Sequence, residues 1–325
     1  YDKVLMLSVS GQNSGTCQTF RQAAKEVDPE GERVVVIDTK KNSGAEGLLV
    51  MKAAEAIHEG KSLEEVVDLH ARLSREGRNP LYYAGGTEII SFSRTGTIRP
   101  EVLIDLKRIS EMTRFSVEGE AVHFGAGLSL NRLSEQKEYI LLAAVARRVA
   151  DHTVRNRLTL GGNICGRLPY RETVLPFLLA DAEALLVGLG GQRVEPLDRL
   201  FDKRIRLKDG EILVRLSLSR RKMAGKTWSR RREKHGPIDY PMLHTAALKR
   251  DKLALAVSGL CAYPFRSVKM EEILNDRSLS LRKRVENAQN FLPGPIRADH
   301  LGSSEYRLAL WAGDLAEMLA ELEEE

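Results

Sequence analysis

Short apolar runs alternate with amphipathic stretches in the N-terminal part of the chain. The β-branched runs VLMLSVS (4–10) and RVVVID (33–38) predict buried strands, whereas TFRQAAKEV (19–27) and AEGLLVMKAAEAIHEG (45–60) predict helices, the second of them closed by Gly60. This β-α-β-α order is typical of parallel strands joined by right-handed crossovers.

A new amphipathic helix begins at Ser62. Ser62 and Glu65 have the spacing of a capping box, in which each side chain bonds the other residue's N–H. The apolar face that follows consists of Leu63, Val66, Val67, His70 and Leu73. We interpret His70 as a packed or half-exposed side chain rather than a ligand.

The rest of the chain mixes the periods of strands and helices. Strands are predicted in LYYAGG (81–86), EVLIDL (101–106), AVHFGAG (121–127), 243–249 and 253–260, and helices around 138–150, in RETVLPFLLADAEA (171–184) and in SSEYRLALWAGDLAEMLAEL (303–322). LLVGLGGQRVEPL (185–197) predicts a hairpin around Gly190 and Gly191, and the acidic tail is expected to fray. These elements indicate a mixed α/β and α+β fold in three regions, 1–61, 62–222 and 223–325.

Composition excludes several classes of protein. Hydrophobic residues make up 42% and charged residues 29%, and no apolar run reaches the roughly 18 residues of a membrane span. The N-terminus has no signal-peptide pattern and no initiator Met, so we expect a processed, truncated or partial chain. The three cysteines, Cys17, Cys165 and Cys261, are too few and too dispersed for a disulfide framework, which favours the cytoplasm.

The cysteine count also bears on redox chemistry. An iron–sulfur cluster held by cysteines needs four thiolates, and this chain has three cysteines. Any such cluster is therefore expected on another chain.

The positive charge is concentrated in RRKMAGKTWSRRREK (220–234), which holds eight basic residues. We interpret this stretch as a solvated or protein-facing loop. Nucleic-acid binding is disfavoured because Trp228 is its single aromatic residue and no stacking pattern repeats.

Two glycine turns carry the candidate chemistry. In AGGTEI (84–89) Gly85 and Gly86 follow a predicted strand, so the backbone can come close to a ligand and present N–H groups to an anion such as pyrophosphate, with Thr87 as a hydroxyl donor. TLGGN (159–163) offers the same chemistry again, and Arg155 supplies positive charge nearby. Matching turns suggest one ligand between two lobes, although spacing alone is equally compatible with two unrelated loops.

Other kinds of site are not indicated. Neither turn is a P-loop or a G-x-G-x-x-G fingerprint, the histidines lack metal-ligand spacing, and no serine lies in a G-x-S-x-G elbow. No side chain is therefore assigned a catalytic role, and a bound cofactor is expected to carry any chemistry.

Beyond about residue 62 the chain resembles the FAD-binding (medium) subunit of the molybdenum hydroxylases, the xanthine dehydrogenase and carbon monoxide dehydrogenase group. The segments that carry the resemblance occur in the family's order: SLEEVVDLHARL (62–73), AGGTEI (84–89), IRPEVLIDLKRI (98–109), HFGAGLSLNRL (123–133), VRNRLTLGGNIC (154–165), LLADAEALLVGLGGQRVEPL (178–197) and DHLGSSEYRLAL (299–310). Such an ordered series makes chance glycine turns an unlikely explanation.

Membership in that family implies a PCMH-type fold of two subdomains with FAD in the cleft and a C-terminal α+β domain. The residues that the resemblance places around the pyrophosphate and ribityl chain are Leu81, Tyr82, Tyr83, Ala84, Gly85, Gly86, Thr87, Glu88, Thr159, Leu160, Gly161, Gly162 and Asn163. Leu213 falls where the family packs an aliphatic residue beside the isoalloxazine, and Glu172 where many members have an Asp that bonds the adenosine ribose. The resemblance also assigns Arg231 to the cofactor site, because it aligns best with a basic residue after the Leu213 strand. Val149 stands where eukaryotic relatives have an aromatic residue near the flavin.

The function implied by the resemblance is electron relay. Substrate would be hydroxylated on a molybdopterin large subunit, electrons would cross iron–sulfur clusters on a small subunit, and FAD on this chain would pass a hydride to NAD or another acceptor. A flavin-free scaffold subunit is an alternative.

The first region resembles a different family, the DegV fatty-acid-binding proteins, through LSVSGQNSGTCQTFRQAA (7–24) and VVVIDTKKNSGAEGLLVMKAAEAIHEGKSLEEV (34–66). By position Ser10 would contact a lipid carboxylate. The match covers part of one domain, so we favour a fused remnant or docking appendage over a lipid-binding module.

Overall fold

The computed structural model describes residues 4–8, 16–29, 34–38, 62–234, 236 and 239–324. The chain divides into two compact units, residues 1–83 with 87–109 and residues 84–86 with 110–325. The predicted boundary between residues 222 and 223 falls inside the second unit. In the described residues no helix is both long and apolar enough to cross a membrane.

The first unit begins with two parallel strands. Strand β1 (Val4–Ser8) pairs with β2 (Val34–Asp38), and the helix Thr16–Val27 lies between them in the chain. The predicted β-α-β order is thereby confirmed. The helix predicted at 45–60 lies outside the described residues.

A second parallel pair follows in the same unit. The helix Leu63–Arg75 begins with the predicted capping box, in which the Ser62 N–H donates to Glu65 Oε2 at 2.7 Å and the Glu65 N–H to Ser62 Oγ at 3.2 Å. Strands β3 (Pro80–Tyr83) and β4 (Val102–Asp105) then pair in parallel, with the helix Thr87–Arg94 between them in the chain.

The second unit opens with a five-stranded antiparallel sheet in the order β5-β6-β11-β7-β8. The strands of this part of the chain are β5 (Phe115–Glu118), β6 (Ala121–Gly125), β7 (Glu183–Gly188), β8 (Gly191–Pro196), the short β9 (Phe201–Asp202) and β10 (Arg204–Ile205), and β11 (Ile212–Ser219). Strands β7 and β8 close the predicted hairpin, with Gly188 opposite Gly191.

Eight helices accompany these strands among the described residues 110–223. They are Ser110–Thr113, Leu130–Glu135, Ile140–Arg148, His152–Arg155, Leu160–Cys165, Val174–Leu179, Leu197–Leu200 and Arg220–Met223. The helix predicted over 171–184 is too long, because Asp181 adopts a φ of +49° and the chain then enters β7. A positive φ is incompatible with a right-handed helix, so this residue ends it.

The C-terminal part of the second unit is a four-stranded antiparallel sheet covered by helices. Its elements are β12 (Lys226–Arg232), β13 (Leu243–Lys249), β14 (Leu253–Ser258), β15 (Phe265–Arg266), the helices Val268–Asn275, Leu281–Ala288 and Ser304–Glu323, and a 3-10 turn at Gln289–Phe291. The core packs the long last helix, through Trp311 and Leu315, against Leu243, Ala247 and Leu255 of the sheet. The two strands predicted here are confirmed.

The basic stretch 220–234 is not the loop that the sequence suggests. Its residues 226–232 form β12, which pairs with β13 along its whole length and buries Trp228 and Arg231. The neighbouring cations find acids on the last helix, where Arg230 pairs with Glu317 and Arg232 with Asp314. Acidic residues distant in sequence therefore allow this basic segment to form a strand.

The acidic end of the last helix is also better ordered than expected. The helix continues to Glu323, whose carboxylate pairs with Arg284 at 2.6 Å. Lys249 Nζ donates to the Leu322 carbonyl and Lys226 Nζ to the Glu324 carbonyl, each at 2.7 Å. Cations at carbonyls that lack helical partners stabilise a helix C-terminus.

Replacing Arg307 with Met should lower the free energy of unfolding by about 3–5 kcal/mol, the usual cost of breaking a buried ion pair. Arg307 is fully buried, donates to the carbonyls of Met242 and Gly259, and pairs with Asp299 at 2.6 Å. Urea unfolding measures the loss. Arg282→Met is the matched control, because Arg282 pairs with Glu286 at the surface and its loss should change nothing measurable. Equal effects of the two substitutions would contradict this account of the core.

Candidate functional site

The AGGT turn joins β3 to the helix Thr87–Arg94 through two glycines, each of which has its own structural reason. Gly86 is buried with a φ of +74°, in the left-handed region that favours glycine. A Cβ added to Gly85 would lie 1.8 Å from the carbonyl oxygen of Arg157. The sequence therefore sets both the conformation of this turn and its close approach to a neighbouring segment.

Three hydrogen-bond donors of this turn are not used by the described part of the protein. Within the described part of the chain, the N–H groups of Gly85, Gly86 and Thr87 form no hydrogen bond with protein atoms. The first N–H groups of a helix have no intrahelical partner, and consecutive N–H groups in a turn with positive φ can converge on an anion. The turn thus has the donors that the sequence analysis assigned to a pyrophosphate.

The TLGGN turn does not provide the second set of free N–H donors that the sequence predicted. Thr159 caps the helix Leu160–Cys165 by accepting from the Gly162 N–H at 3.1 Å. The Leu160, Gly161 and Asn163 N–H groups donate to the carbonyls of Leu128, Ala126 and Thr159. Its N–H groups are therefore occupied, because the turn is also the first turn of a helix that pairs with the loop after β6.

What TLGGN offers a ligand is close access to its backbone. Gly162 is exposed, and a Cβ on Gly161 would lie 2.8 Å from the Cβ of Ala126. Leu160 is completely buried, so its side chain belongs to the core. The predicted cofactor contacts of these residues stay predictions.

The side chain of Asn163 is committed to the segment that follows. Its Oδ1 accepts from the Thr173 N–H at 3.1 Å and from the Thr173 hydroxyl at 2.6 Å. The hydroxyl of Thr173 and the oxygen of Asn163 thereby fix the turn to the start of the helix Val174–Leu179.

Glu172, next to Thr173, lies in a buried ionic cluster. Its Oε1 accepts from Arg231 Nε on β12 and from His244 Nδ1 on β13, both at 2.7 Å. Arg231 also pairs with Glu233 at 2.9 Å and donates to the Asp239 carbonyl at 2.7 Å. The sequence analysis gave Glu172 and Arg231 separate roles at the cofactor, and the structure brings them together as a pair.

Electrostatics keep the carboxyl group of Glu172 ionised. Burial acts to raise its pKa, but the hydrogen bond from His244 and the charge of Arg231 outweigh burial and hold the pKa below its usual range. A buried carboxylate that already accepts two hydrogen bonds from the protein has little capacity left for a ligand. The predicted ribose contact of Glu172 therefore stays a prediction.

Arg155 is engaged by protein groups. Its Nε donates to Asn131 Oδ1 at 3.0 Å and its Nη1 donates to the carbonyls of Val149 and Ala150. Ala150 adopts a φ of +53°, so Arg155 braces an unusual turn of the backbone. Its predicted contribution of charge to the cofactor is untested.

Leu213 lies on β11 immediately before a β-bulge and is buried. At the bulge the Val214 carbonyl accepts from the Ala126 N–H at 2.8 Å, which ties β11 to the loop under TLGGN. A bulge re-aims the neighbouring side chains. The position is compatible with the predicted packing beside a flavin, which no observation tests.

The remaining predicted residues, apart from Ala84 and Ser10, lie in the described part of the first unit. Tyr82 stacks on His70 with ring centroids 4.6 Å apart, and Lys107 lies over the ring of Tyr83 at 4.4 Å. Leu81 lies on β3 and is half-buried, whereas Ala84 begins the turn. Thr87 and Glu88 form the first turn of the helix Thr87–Arg94. Ser10 lies outside the described residues.

Sequence reasoning missed three contributors to this region, namely Arg157, Thr173 and His244. The partner of His244 is 72 residues away, so no local spacing signals the contact. The other signals were weak as well, because a threonine in a helix start and an arginine in a loop are common. Among the described residues, no group of three or more His, Cys, Asp or Glu side chains could hold a metal ion.

Two protein-family models match the chain. Residues 52–219 match the family described as the FAD binding domain in molybdopterin dehydrogenase. Residues 1–76 match the DegV family of uncharacterised proteins. The two matches overlap over residues 52–76.

Individual relatives agree with this division. The chain is 32% identical over 165 residues to the carbon monoxide dehydrogenase medium chain of Hydrogenophaga pseudoflava, an alignment that covers 49% of this chain and 56% of that relative. It therefore spans little more than half the length of that relative. It is also 42% identical over 72 residues to a DegV domain-containing protein of Deinococcus radiodurans, covering 22% of this chain and 25% of that protein.

The fold is similar to solved structures of the same group. A chain of carbon monoxide dehydrogenase from Hydrogenophaga pseudoflava superimposes with a TM-score of 0.70 and 25% identity, covering 81% of this chain and 94% of that chain.

The free energy of unfolding should fall as the pH drops below the usual pKa of Glu172, about 4.5. A carboxyl group whose pKa is lower in the folded state contributes stability above its unfolded pKa, and that contribution is lost as the pH falls through the folded pKa. Glu172→Gln should therefore be less stable than the wild type at neutral pH, by about 3–5 kcal/mol. The difference in the free energy of unfolding between the wild type and Glu172→Gln should become smaller as the pH falls.

Urea unfolding of both proteins from neutral to acidic pH measures this convergence. Glu286→Gln is the control, because Glu286 forms an exposed pair with Arg282 and should unfold in parallel with the wild type. A gap between the wild type and Glu172→Gln that stays constant with pH would show that Glu172 is not held ionised.

Proposed function

Because the chain belongs to the family described as the FAD binding domain in molybdopterin dehydrogenase, we propose that it is an electron-transfer subunit. It takes electrons from iron–sulfur clusters on a small partner subunit and delivers them to NAD or another acceptor. The substrate is hydroxylated on a molybdopterin large subunit.

The family match, over 52–219, covers half of the chain and confirms several predictions. The cofactor is FAD, the chain is a component of an oxidoreductase, and the fold is that of the flavin subunits. The DegV-like character of the N-terminal segment is also confirmed. The particular residues that bind FAD, the acceptor and the partner subunits belong to the proposal.

The observation that carries the proposal is the AGGT turn. It combines N–H donors at Gly85, Gly86 and Thr87 that have no protein partner among the described residues with a positive φ at Gly86, a conformation that lets consecutive N–H groups converge. This arrangement fits a diphosphate, which needs several convergent donors and close backbone approach. We assign the pyrophosphate of FAD to this turn and the flanking part of the cofactor to TLGGN.

Each part of the proposed site has a separate task. The AGGT turn binds the negative charge, and the exposed Gly162 leaves room for a ligand beside the helix Leu160–Cys165. Leu213 contributes apolar surface from β11. Bound FAD supplies the redox chemistry, since it can exchange electrons singly or in pairs.

Partners are required because the chain has three cysteines and cannot ligate a cluster through four thiolates. We therefore place the clusters that supply the electrons on a partner chain. We propose residues 62–222 as the FAD-binding domain, 223–325 as the C-terminal domain, and 1–61 as a DegV-like appendage that docks a partner.

The purified chain should be yellow, with the two visible absorbance bands of an oxidised flavin, and Gly86→Asp should remove them. The substitution places a negative side chain in a buried turn with a φ of +74°, where it opposes the phosphates. Absorbance spectra and titration with FAD measure the effect. Gly190→Asp, in the open turn of the β7–β8 hairpin, is the matched control and should bind FAD normally.

A colourless wild-type protein that also fails to take up added FAD would overturn the proposal and favour a flavin-free scaffold. Retention of full flavin content by Gly86→Asp would place the cofactor elsewhere.

The DegV-like segment should copurify without fatty acid. The match covers 25% of the Deinococcus radiodurans relative, and a lipid cavity needs more wall than one partial domain provides. Mass spectrometry of the denatured protein measures bound lipid. Stoichiometric fatty acid that disappears in Ser10→Ala would instead establish a lipid-binding module.

A further inference from the structure

A continuous series of hydrogen bonds connects the C-terminal sheet to the TLGGN turn. It starts at Arg231 on β12 and His244 on β13, passes through Glu172 and its neighbour Thr173, and ends at Asn163. All five residues belong to the second compact unit.

The first part of the series is rigid because it is buried and charged. The side chains of Arg231, Glu172 and His244 are 2%, 4% and 0% exposed. A buried carboxylate without its partners is costly, so Glu172 is held where Arg231 and His244 meet it. The position of the 172–173 segment is therefore set by two strands of the C-terminal sheet.

The second part transmits this position to the turn. The Thr173 N–H and hydroxyl both donate to Asn163 Oδ1, at 3.1 and 2.6 Å. Asn163 lies in the helix that Thr159 caps, two residues after Gly161, which packs closely on Ala126. Two bonds to one oxygen leave that side chain little freedom. A shift of Thr173 must then move the turn or break these bonds.

We propose that Arg231 and His244 are positioning residues for the flavin site, acting through Glu172, Thr173 and Asn163 on the TLGGN turn. This inference rests on the proposed function, because it takes the turn to be part of the FAD site. Arg171 supplies a second brace, with Nε donating to the Gly166 carbonyl at 2.7 Å just beyond the helix. The C-terminal sheet thus controls how tightly the chain binds its cofactor without touching it.

The test compares single substitutions in fully buried side chains. His244→Leu removes one donor to Glu172 and creates no new orphan, since His244 Nε2 has no partner among the described residues. Thr173→Val removes one bond to Asn163 and keeps the N–H bond. Thr245→Val is the matched control, because Thr245 is equally buried and its hydroxyl has no hydrogen-bond partner among those residues.

His244→Leu and Thr173→Val should each raise the dissociation constant for FAD about fivefold, the factor that one ordinary hydrogen bond is worth. Thr245→Val should leave it unchanged. The double substitution His244→Leu/Thr173→Val should bind FAD about as weakly as the weaker single variant, because both act on one series. Fluorescence titration of the full chain with FAD measures all four.

Hydrogen exchange gives a readout that does not need the cofactor. The amides of residues 160–163 are hydrogen bonded, and they should exchange faster in His244→Leu than in Thr245→Val. Equal exchange in these two variants, or effects on FAD affinity that multiply in the double variant, would overturn the inference. A wild-type chain that binds no FAD would contradict the proposed function. The hydrogen-exchange comparison would still test whether His244 positions the TLGGN turn.

Discussion

The second unit is organised around the need to neutralise one buried carboxylate. Glu172 lies between the four-stranded C-terminal sheet and the segment that leads out of the TLGGN turn; Arg231 balances its charge, and His244 forms a second hydrogen bond with it. Because an isolated buried charge costs several kcal/mol, the sheet and this segment cannot separate without losing that balance. The cluster therefore imposes a fixed geometry on everything bonded to residues 172 and 173.

The two glycine turns meet the same requirement, close backbone approach, by different means. In AGGT three N–H groups have no partner in the part of the protein that the structure describes, and Gly86 has a positive φ. In TLGGN the N–H groups stabilise a helix, and the absence of side chains alone leaves space. One turn can thus bind an anion directly, whereas the other shapes the room beside it. Identical letters in a sequence do not imply identical chemistry.

The sequence predicted features whose causes are local and failed where the cause is distant. The Ser62–Glu65 capping box and the hairpin at 188–191 depend on neighbouring residues, and both are present. The strand at 226–232 was mistaken for a loop because Arg230 and Arg232 meet acids on a helix some eighty residues later. The ordered family segments gave the fold and cofactor. They could not reveal that Glu172 is hydrogen bonded to Arg231 on β12 and to His244 on β13.

The residues that bond to Glu172 lie beyond the end of the family match. The match ends at residue 219, yet the carboxylate of Glu172 inside it pairs with Arg231 and is hydrogen bonded to His244, both outside it. A fragment ending near residue 222 would keep Glu172 in its buried segment but would lack both partners, Arg231 and His244. Since burial alone raises the pKa of a carboxyl group, that fragment would have to protonate Glu172 or expose it to water. The segment that matches the FAD family and the C-terminal sheet are therefore joined through Glu172, although the family match ends before the sheet begins.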